Sequence, residues 1–264
     1  MTNELLLLAG SDIPFPEARI TIHQPTIKEI GYIGEETFFM GCGFLDFSKN
    51  LLNDKDKTRL ANLDDFDIFM SIMISKDESV KHNVDCAFAV LSLIFPLYEI
   101  TIEVRNNSHL IILKRENEEC EINKKNFSKF KKILVEMFNL NFGQDNGEKY
   151  NPAGSMAEKI AQKFKKREEQ LQKLAQEKVS NKRIAILNRY TSILAIGLQK
   201  NLNELMQYTV YQLYDEFQRF QLKVQWDAYI QARMAGAKDL EEVDNWMIDL
   251  KDQGQNKNKN KQKK

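Results

Sequence analysis

Cysteine is scarce in this chain of 264 residues: Cys42, Cys86 and Cys120 are odd in number and widely spaced, so they outline no disulfide framework and suit a reducing compartment. Long apolar runs are missing as well. The longest, residues 86–95, stops at Pro96, about half the ~20 residues that a membrane span requires. The opening Glu4-Leu5-Leu6-Leu7-Leu8-Ala9-Gly10 has no basic leader and too short an apolar core for a signal peptide, so a soluble protein is expected. A phosphate-binding glycine loop is absent too, because Gly41-Cys42-Gly43-Phe44-Leu45-Asp46 fails the G-x-G-x-x-G pattern at its last position. Only His23, His82 and His109 are available as bases, and no serine sits in an elbow motif near them. Without a convergent set of titratable groups nothing nominates an enzyme, and no cofactor is expected.

Two weak metal patterns resolve the same way. His82 and Cys86 stand one helical turn apart and could share an ion with His23 and Cys42, yet the spacing between the pairs matches no zinc motif. A buried cysteine among helix-core phenylalanines accounts for Cys86 without a metal. Asp54, Asp56, Thr58 and Asp65 approach a calcium loop, but Arg59 replaces the required glycine and Asp65 the bidentate glutamate, leaving a solvated loop.

Net charge is zero, but it is unevenly placed. Residues 1–150 hold 17 Lys and Arg against 24 Asp and Glu, and residues 151–264 hold 21 against 14. Halves of opposite sign favour contact with each other, or between copies of the chain. Lys251, Lys257, Lys259, Lys261, Lys263 and Lys264 fall in a low-complexity end, 251–264, which is expected to be a disordered, solubilising basic tail. Lys124, Lys125, Lys129, Lys131 and Lys132 flank Phe127 and Phe130 in a pattern that could track phosphates, although an amphipathic helix with a solvated basic face explains it as well.

Along the chain, residues 18–27 alternate and are rich in β-branched types, predicting a strand that ends near Pro25. Gly31, Gly34, Gly41 and Gly43 punctuate an aromatic stretch, and a short helix or turn is predicted over 35–40. Apolar residues at helical spacing predict helices over 60–75 and 80–95. The strict alternation of 98–104, answered by 109–113, predicts a β-hairpin, followed by a polar strand through Ile122. Asn123 or Asn126 caps a further helix with Phe127, Phe130, Ile133, Leu134, Met137 and Phe138 on its apolar face.

The expected fold class is therefore α+β, mostly α: an α+β N-terminal domain over 1–140, a Gly- and Asn-rich linker over 141–154, and a helical C-terminal region over 155–250. Ser155 and Glu158 form a capping box for a polar helix reaching Val179. The longest helical pattern follows, over 181–235. Unbroken, it would measure ~80 Å at 1.5 Å per residue, too long for a compact domain, so a break at Gly197 or at 201–203 is expected to fold it into a helical hairpin. Gly236 ends the second limb, and Asp239 with Glu242 would cap a last helix holding Val243, Trp246, Met247 and Leu250.

Two groups of residues carry a family resemblance. One is Ile22-His23-Gln24-Pro25-Thr26-Ile27-Lys28-Glu29-Ile30 with Gly34-Glu35-Glu36-Thr37-Phe38-Phe39. The stronger is Leu205-Met206-Gln207-Tyr208-Thr209-Val210-Tyr211-Gln212-Leu213-Tyr214-Asp215-Glu216-Phe217, then Trp226-Asp227-Ala228-Tyr229-Ile230-Gln231-Ala232-Arg233-Met234-Ala235-Gly236-Ala237, then Asp244-Asn245-Trp246. These strings resemble tail assembly chaperones of bacteriophages that infect Gram-positive bacteria. The resemblance implies a non-enzymatic protein of the host cytoplasm that coats a tape measure protein and recruits tail tube subunits. It also implies a partner-binding surface, for which Leu205, Tyr208, Tyr211, Tyr214, Phe217, Trp226, Tyr229 and Trp246 are the candidates, since aromatic side chains supply contact area at little entropy cost. Packing among the C-terminal helices themselves is the plainer account of the same residues. A structural subunit of the tail, neck or baseplate is the alternative function.

Overall fold

A computed structural model describes residues 3–46, 62–75, 77–105, 108–116, 118–140, 186–237 and 243–250. The expected linker, the polar helix after it and the basic tail lie outside the described residues. The architecture is α+β and mostly α.

The first short helix, α1 (Glu4–Ala9), is capped by Asn3 and stopped by Gly10 at φ 64. A two-stranded ribbon follows, β1 (Ile13–Phe15) against β2 (Ile20–Ile22), with Ile13 opposite Ile22 and Phe15 opposite Ile20. The strand expected over 18–27 is thus three residues long. Its β-branched continuation, Thr26 and Ile27, instead starts helix α2 (Ile27–Ile33) through a capping box: Glu29 N–H donates to Thr26 Oγ1, and Thr26 N–H donates to Glu29 Oε2 at 2.7 Å. Two reciprocal local hydrogen bonds outweigh the weak strand preference of those residues.

Helix α3 (Glu35–Leu45) is twice as long as the predicted turn and includes two of the glycines expected to interrupt it. Only Gly34, at φ 88, separates the helices. Gly41 lies at the crossing with α5 (Glu78–Ile94), where a Cβ would come within 2.3 Å of the Cys86 carbonyl oxygen and 2.6 Å of Val90. It is a close-approach residue rather than a breaker. Helix α4 (Asp65–Met73), capped by Asp64, completes this layer.

The hairpin forms where the alternation predicts it. Strands β3 (Glu99–Arg105) and β4 (Ser108–Arg115) pair from Glu99 opposite Lys114 to Arg105 opposite Ser108, and β5 (Glu118–Ile122) adds to the far side of β4. Helix α6 (Phe127–Phe138) follows. Asn126 occupies its cap position without capping it, because its side chain turns back to Asn123 N–H and Glu121 O.

Phenylalanine holds these layers together. Phe130 lies between Phe15 and Phe95, Phe127 stacks on Phe69 at 5.0 Å and meets Phe66 at 4.9 Å, and Phe138 meets Phe38 edge-on at 4.9 Å. Burying rings of this size supplies roughly 2–3 kcal/mol each, with a further contribution from ring geometry.

Three C-terminal helices close the fold: α7 (Ile186–Gly197), α8 (Leu202–Leu205) and α9 (Val210–Met234). They dock on the N-terminal layers. Thr26 bridges Thr209, Ile27 N–H donates to Tyr208 O at 2.8 Å, and Lys28 N–H donates to Met206 O at 2.9 Å. Leu187, Leu194, Leu205, Val210, Leu213, Tyr214 and Phe217 join one apolar cluster with Leu7, Ile30 and Phe38. Opposite net charges of the two halves suggested contact, yet ion pairs such as Lys124 with Asp64 and Lys129 with Glu17 fall within the N-terminal half. Apolar packing, backbone hydrogen bonds and the side chains of Glu35 and Gln212 make the junction.

The break expected near Gly197 and 201–203 occurs there, but not as an antiparallel hairpin. Tyr190 meets Tyr214 and Phe217, and Gly197 meets Phe220, so contacts advance in the same sense along α7 and α9. The segment with α8 brings the chain back. Trp246 and its neighbours form turns rather than the predicted last helix. The proposed cap residues 239–242 lie outside the described residues, so the first turn of that helix is not among them.

Candidate partner-binding surface

Helix α9 anchors the site at both ends. At its start Thr209 Oγ1 accepts from Gln212 N–H, and Gln212 Oε1 accepts from Thr209 N–H at 2.8 Å. At its end Gly236, at φ 85, donates to Arg233 O while Ala237 donates to Ala232 O, so two otherwise orphaned carbonyls are satisfied. Between the caps the helix changes character.

The first half belongs to the core. Leu213, Tyr214, Phe217 and Leu222 are buried. Tyr190 stacks on Phe217 with centroids 3.7 Å apart and meets Tyr214 edge-on at 5.4 Å. Burial pushes the Tyr214 hydroxyl well above its ordinary pKa, and neighbouring Tyr190 and Glu35 add to the shift. Lys200 joins the return segment to this half by hydrogen bonds to Glu216 and to the Tyr208 hydroxyl, and its ammonium lies 5.0 Å from the Tyr208 ring centre. Burial disfavours that charge, but Glu216 and Tyr208 outweigh it and raise the Lys200 pKa.

Beyond Leu222 no residue of α9 is buried. Val224 is 51% exposed and Met234 83%, with Ile230 also at the surface. Trp226 and Tyr229 form a ring pair at 5.9 Å, and the Arg233 guanidinium lies 5.7 Å over the Tyr229 ring and donates to its hydroxyl at 3.0 Å. Spacings of three and four residues put Trp226, Tyr229 and Arg233 on one stripe.

The eight residues nominated from sequence therefore divide. Leu205, Tyr214 and Phe217 lie in the core of this chain. Tyr208 and Tyr211 are partly buried against that core. Trp226 and Tyr229 share the distal stripe, and Trp246 is half-buried in the turns of 243–250. They do not make one continuous surface.

Sequence reasoning missed a cleft of about 930 Å³ between α1, the end of α6, the face of α9 bearing Tyr211, Asp215, Gln218 and Arg219, and residues 247–250. Leu5, 74% exposed, and Leu8 stand at its rim. Their three-residue spacing in the opening leucine run was the available signal, since Leu7 alone of that run is buried.

Cys86 Sγ lies 3.8 Å from His82 Nε2, and burial raises the thiol pKa of Cys86 and of Cys42, the opposite of an activated thiolate. His23 pairs instead with Asp12 and Glu29. Among the described residues no group of three or more His, Cys, Asp or Glu side chains is arranged to hold a metal ion. Of the basic residues near Phe127, Lys124, Lys129 and Lys131 pair with Asp64, Asp67, Glu17 and Asp65. No described helix is long and apolar enough to cross a membrane.

A family model described as the YomV second domain matches residues 178–251, the stretch that contains α7, α8 and α9. That name is phage-derived, and the match is consistent with a phage protein. No curated protein and no solved structure matches the chain.

Proposed function

We propose that this chain is a tail assembly chaperone that holds a tape measure protein in the host cytoplasm and brings tail tube subunits to it, without enzymatic activity. The observation that carries the reading is the change along α9: its first half is fastened into the core, and its second half presents Trp226, Tyr229 and Arg233 beside exposed Ile230 and Met234. Trp, Tyr and Arg are the side chains that concentrate binding energy in protein interfaces. A long helical partner with an apolar stripe needs such cover until it is assembled. The phage-derived family match over 178–251 includes this helix, and the resemblance of the same residues to tail assembly chaperones supplies the partner.

Co-expression with the tape measure protein of the same phage, followed by capture on a tagged chain, tests the reading. Retention is expected, and the double substitution Trp226→Ala with Tyr229→Ala should abolish it while leaving the melting temperature nearly unchanged. Undiminished capture by that variant would sink the assignment of the surface. Stoichiometric presence of the chain in purified particles would instead favour a structural tail component.

A further inference from the structure

We infer that the free edge of β3 pairs with the same edge of a second copy of this chain, in one antiparallel register centred on Ile102. This goes beyond the chaperone reading and does not depend on it.

Among the described residues β3 is hydrogen-bonded only to β4. It is seven residues long, contains no proline, and pairs with β4 in unbroken register from Glu99 to Arg105, so no bulge twists its edge away. Of the devices that ordinarily blunt an edge strand, short length, proline and a bulge are thus missing, and only the charges of Glu99, Glu103 and Arg105 are present. Arg105 faces Ser108 across a two-residue connection, which makes them a hydrogen-bonded pair. Strict alternation then turns the N–H and C=O groups of Ile100, Ile102 and Val104 outward, away from β4.

The order of residues makes this edge complementary to itself. With Ile102 opposite Ile102 of the second copy, Ile100 faces Val104, Thr101 faces Glu103, and Glu99 faces Arg105, each pair occurring twice by two-fold symmetry. Outward backbone groups of the even-numbered residues meet their counterparts, and Val104, 64% exposed in one chain, is covered by Ile100 of the other. Opposite charges directly across an antiparallel pair are favourable and like charges unfavourable. A slip of two residues one way puts Glu99 opposite Glu103, and a slip the other way puts Glu103 opposite Glu103. A slip of one residue sends the paired side chains to opposite faces. Within one chain Arg105 already pairs with Glu103 and Glu119, and Glu103 with Lys114; Glu99 of the second copy joins that group in this register, whereas the neighbouring registers add carboxylate against carboxylate.

Sedimentation of the full chain across a range of concentrations tests the inference. The expected result is a reversible dimer of twice 30.8 kDa that dissociates on dilution. Val104→Pro removes one outward N–H per copy without touching the bonds to β4, and the loss of two interchain hydrogen bonds should weaken dimerisation about thirtyfold. Far-UV circular dichroism should not change. Glu99→Arg places like charges across the pair at an exposed position, so it should also weaken the dimer, and added salt should restore part of the loss. Sedimentation as a single chain at every concentration would overturn the inference, as would a dimer indifferent to both substitutions. If Val104→Pro alters the fold, Glu99→Arg still decides.

Discussion

Glu35 ties the two ends of the fold together, and its removal is a direct test of how they are joined. Its carboxylate, at the start of α3, accepts a hydrogen bond of 2.8 Å from Leu187 N–H and also serves the N–H groups of Asn188 and Ile186. These are the first residues of α7, whose N–H groups have no partner within the helix. A residue 152 positions away in sequence thus supplies the cap. Glu35→Ala strands donors at a part-buried helix end, and losing a capping acceptor costs about 1–2 kcal/mol. In a chain of this size that lowers the melting temperature by roughly 2–8 °C, taking 2–4 °C per kcal/mol. Glu35→Gln keeps one acceptor oxygen and should lose less than half as much.

The pH dependence separates charge from hydrogen bonding. Burial raises the Glu35 carboxyl pKa, with the three N–H groups opposing the shift incompletely. An acid whose folded pKa lies above its unfolded value binds its proton more tightly when folded. Its contribution to stability is therefore present below the unfolded pKa, near 4.5, and is lost as pH rises through the folded value. Melting temperatures of wild type and Glu35→Gln, followed from pH 4 to 7, should move in favour of wild type as pH falls. Equal stability of wild type and Glu35→Ala would refute the capping argument, and a difference that grows toward wild type at higher pH would refute the assignment of burial as the dominant effect.

Other substitutions probe the remaining joints. Gly41→Ala drives a methyl group into the Cys86 carbonyl and should cost about 2–3 kcal/mol, whereas Gly43→Ala, with nothing within 4 Å of the added carbon, should stabilise by up to about 1 kcal/mol. Denaturant unfolding of the two variants should give opposite signs. Phe217→Ala empties a core position and should cost about 3–4 kcal/mol, while Trp226→Ala on the unburied half of the same helix should change stability by less than ~1 kcal/mol. Comparable losses in urea titrations would contradict the division of α9. Gly236→Ala forces a Cβ into a positive-φ position at the end of α9 and should lower stability by about 1 kcal/mol, read most directly as faster amide exchange near Arg233 and Met234.

Local patterns carried much of this protein. The alternation of 98–104 and 109–113 determined the hairpin, because a period of two on either side of a short connection leaves few other arrangements. Helical periodicity located α4, α5, α6 and α9, and Gly197 with 201–203 marked the break between the C-terminal helices. Side-chain hydrogen bonds over three residues decided what propensity misread at Thr26 and Ile27. Gly41 looked like a breaker because nothing in its neighbours reveals that the α5 backbone passes 2.3 Å from where its Cβ would be. For the same reason Leu205, Tyr214 and Phe217 could not be told from Trp226 and Tyr229 by pattern. All are large, apolar or aromatic and helically spaced, and only the docking of α9 on the N-terminal layers decides which are covered. Periodicity specifies a stripe on a helix, whereas the partner that buries each turn of the stripe is a long-range property of the packed chain.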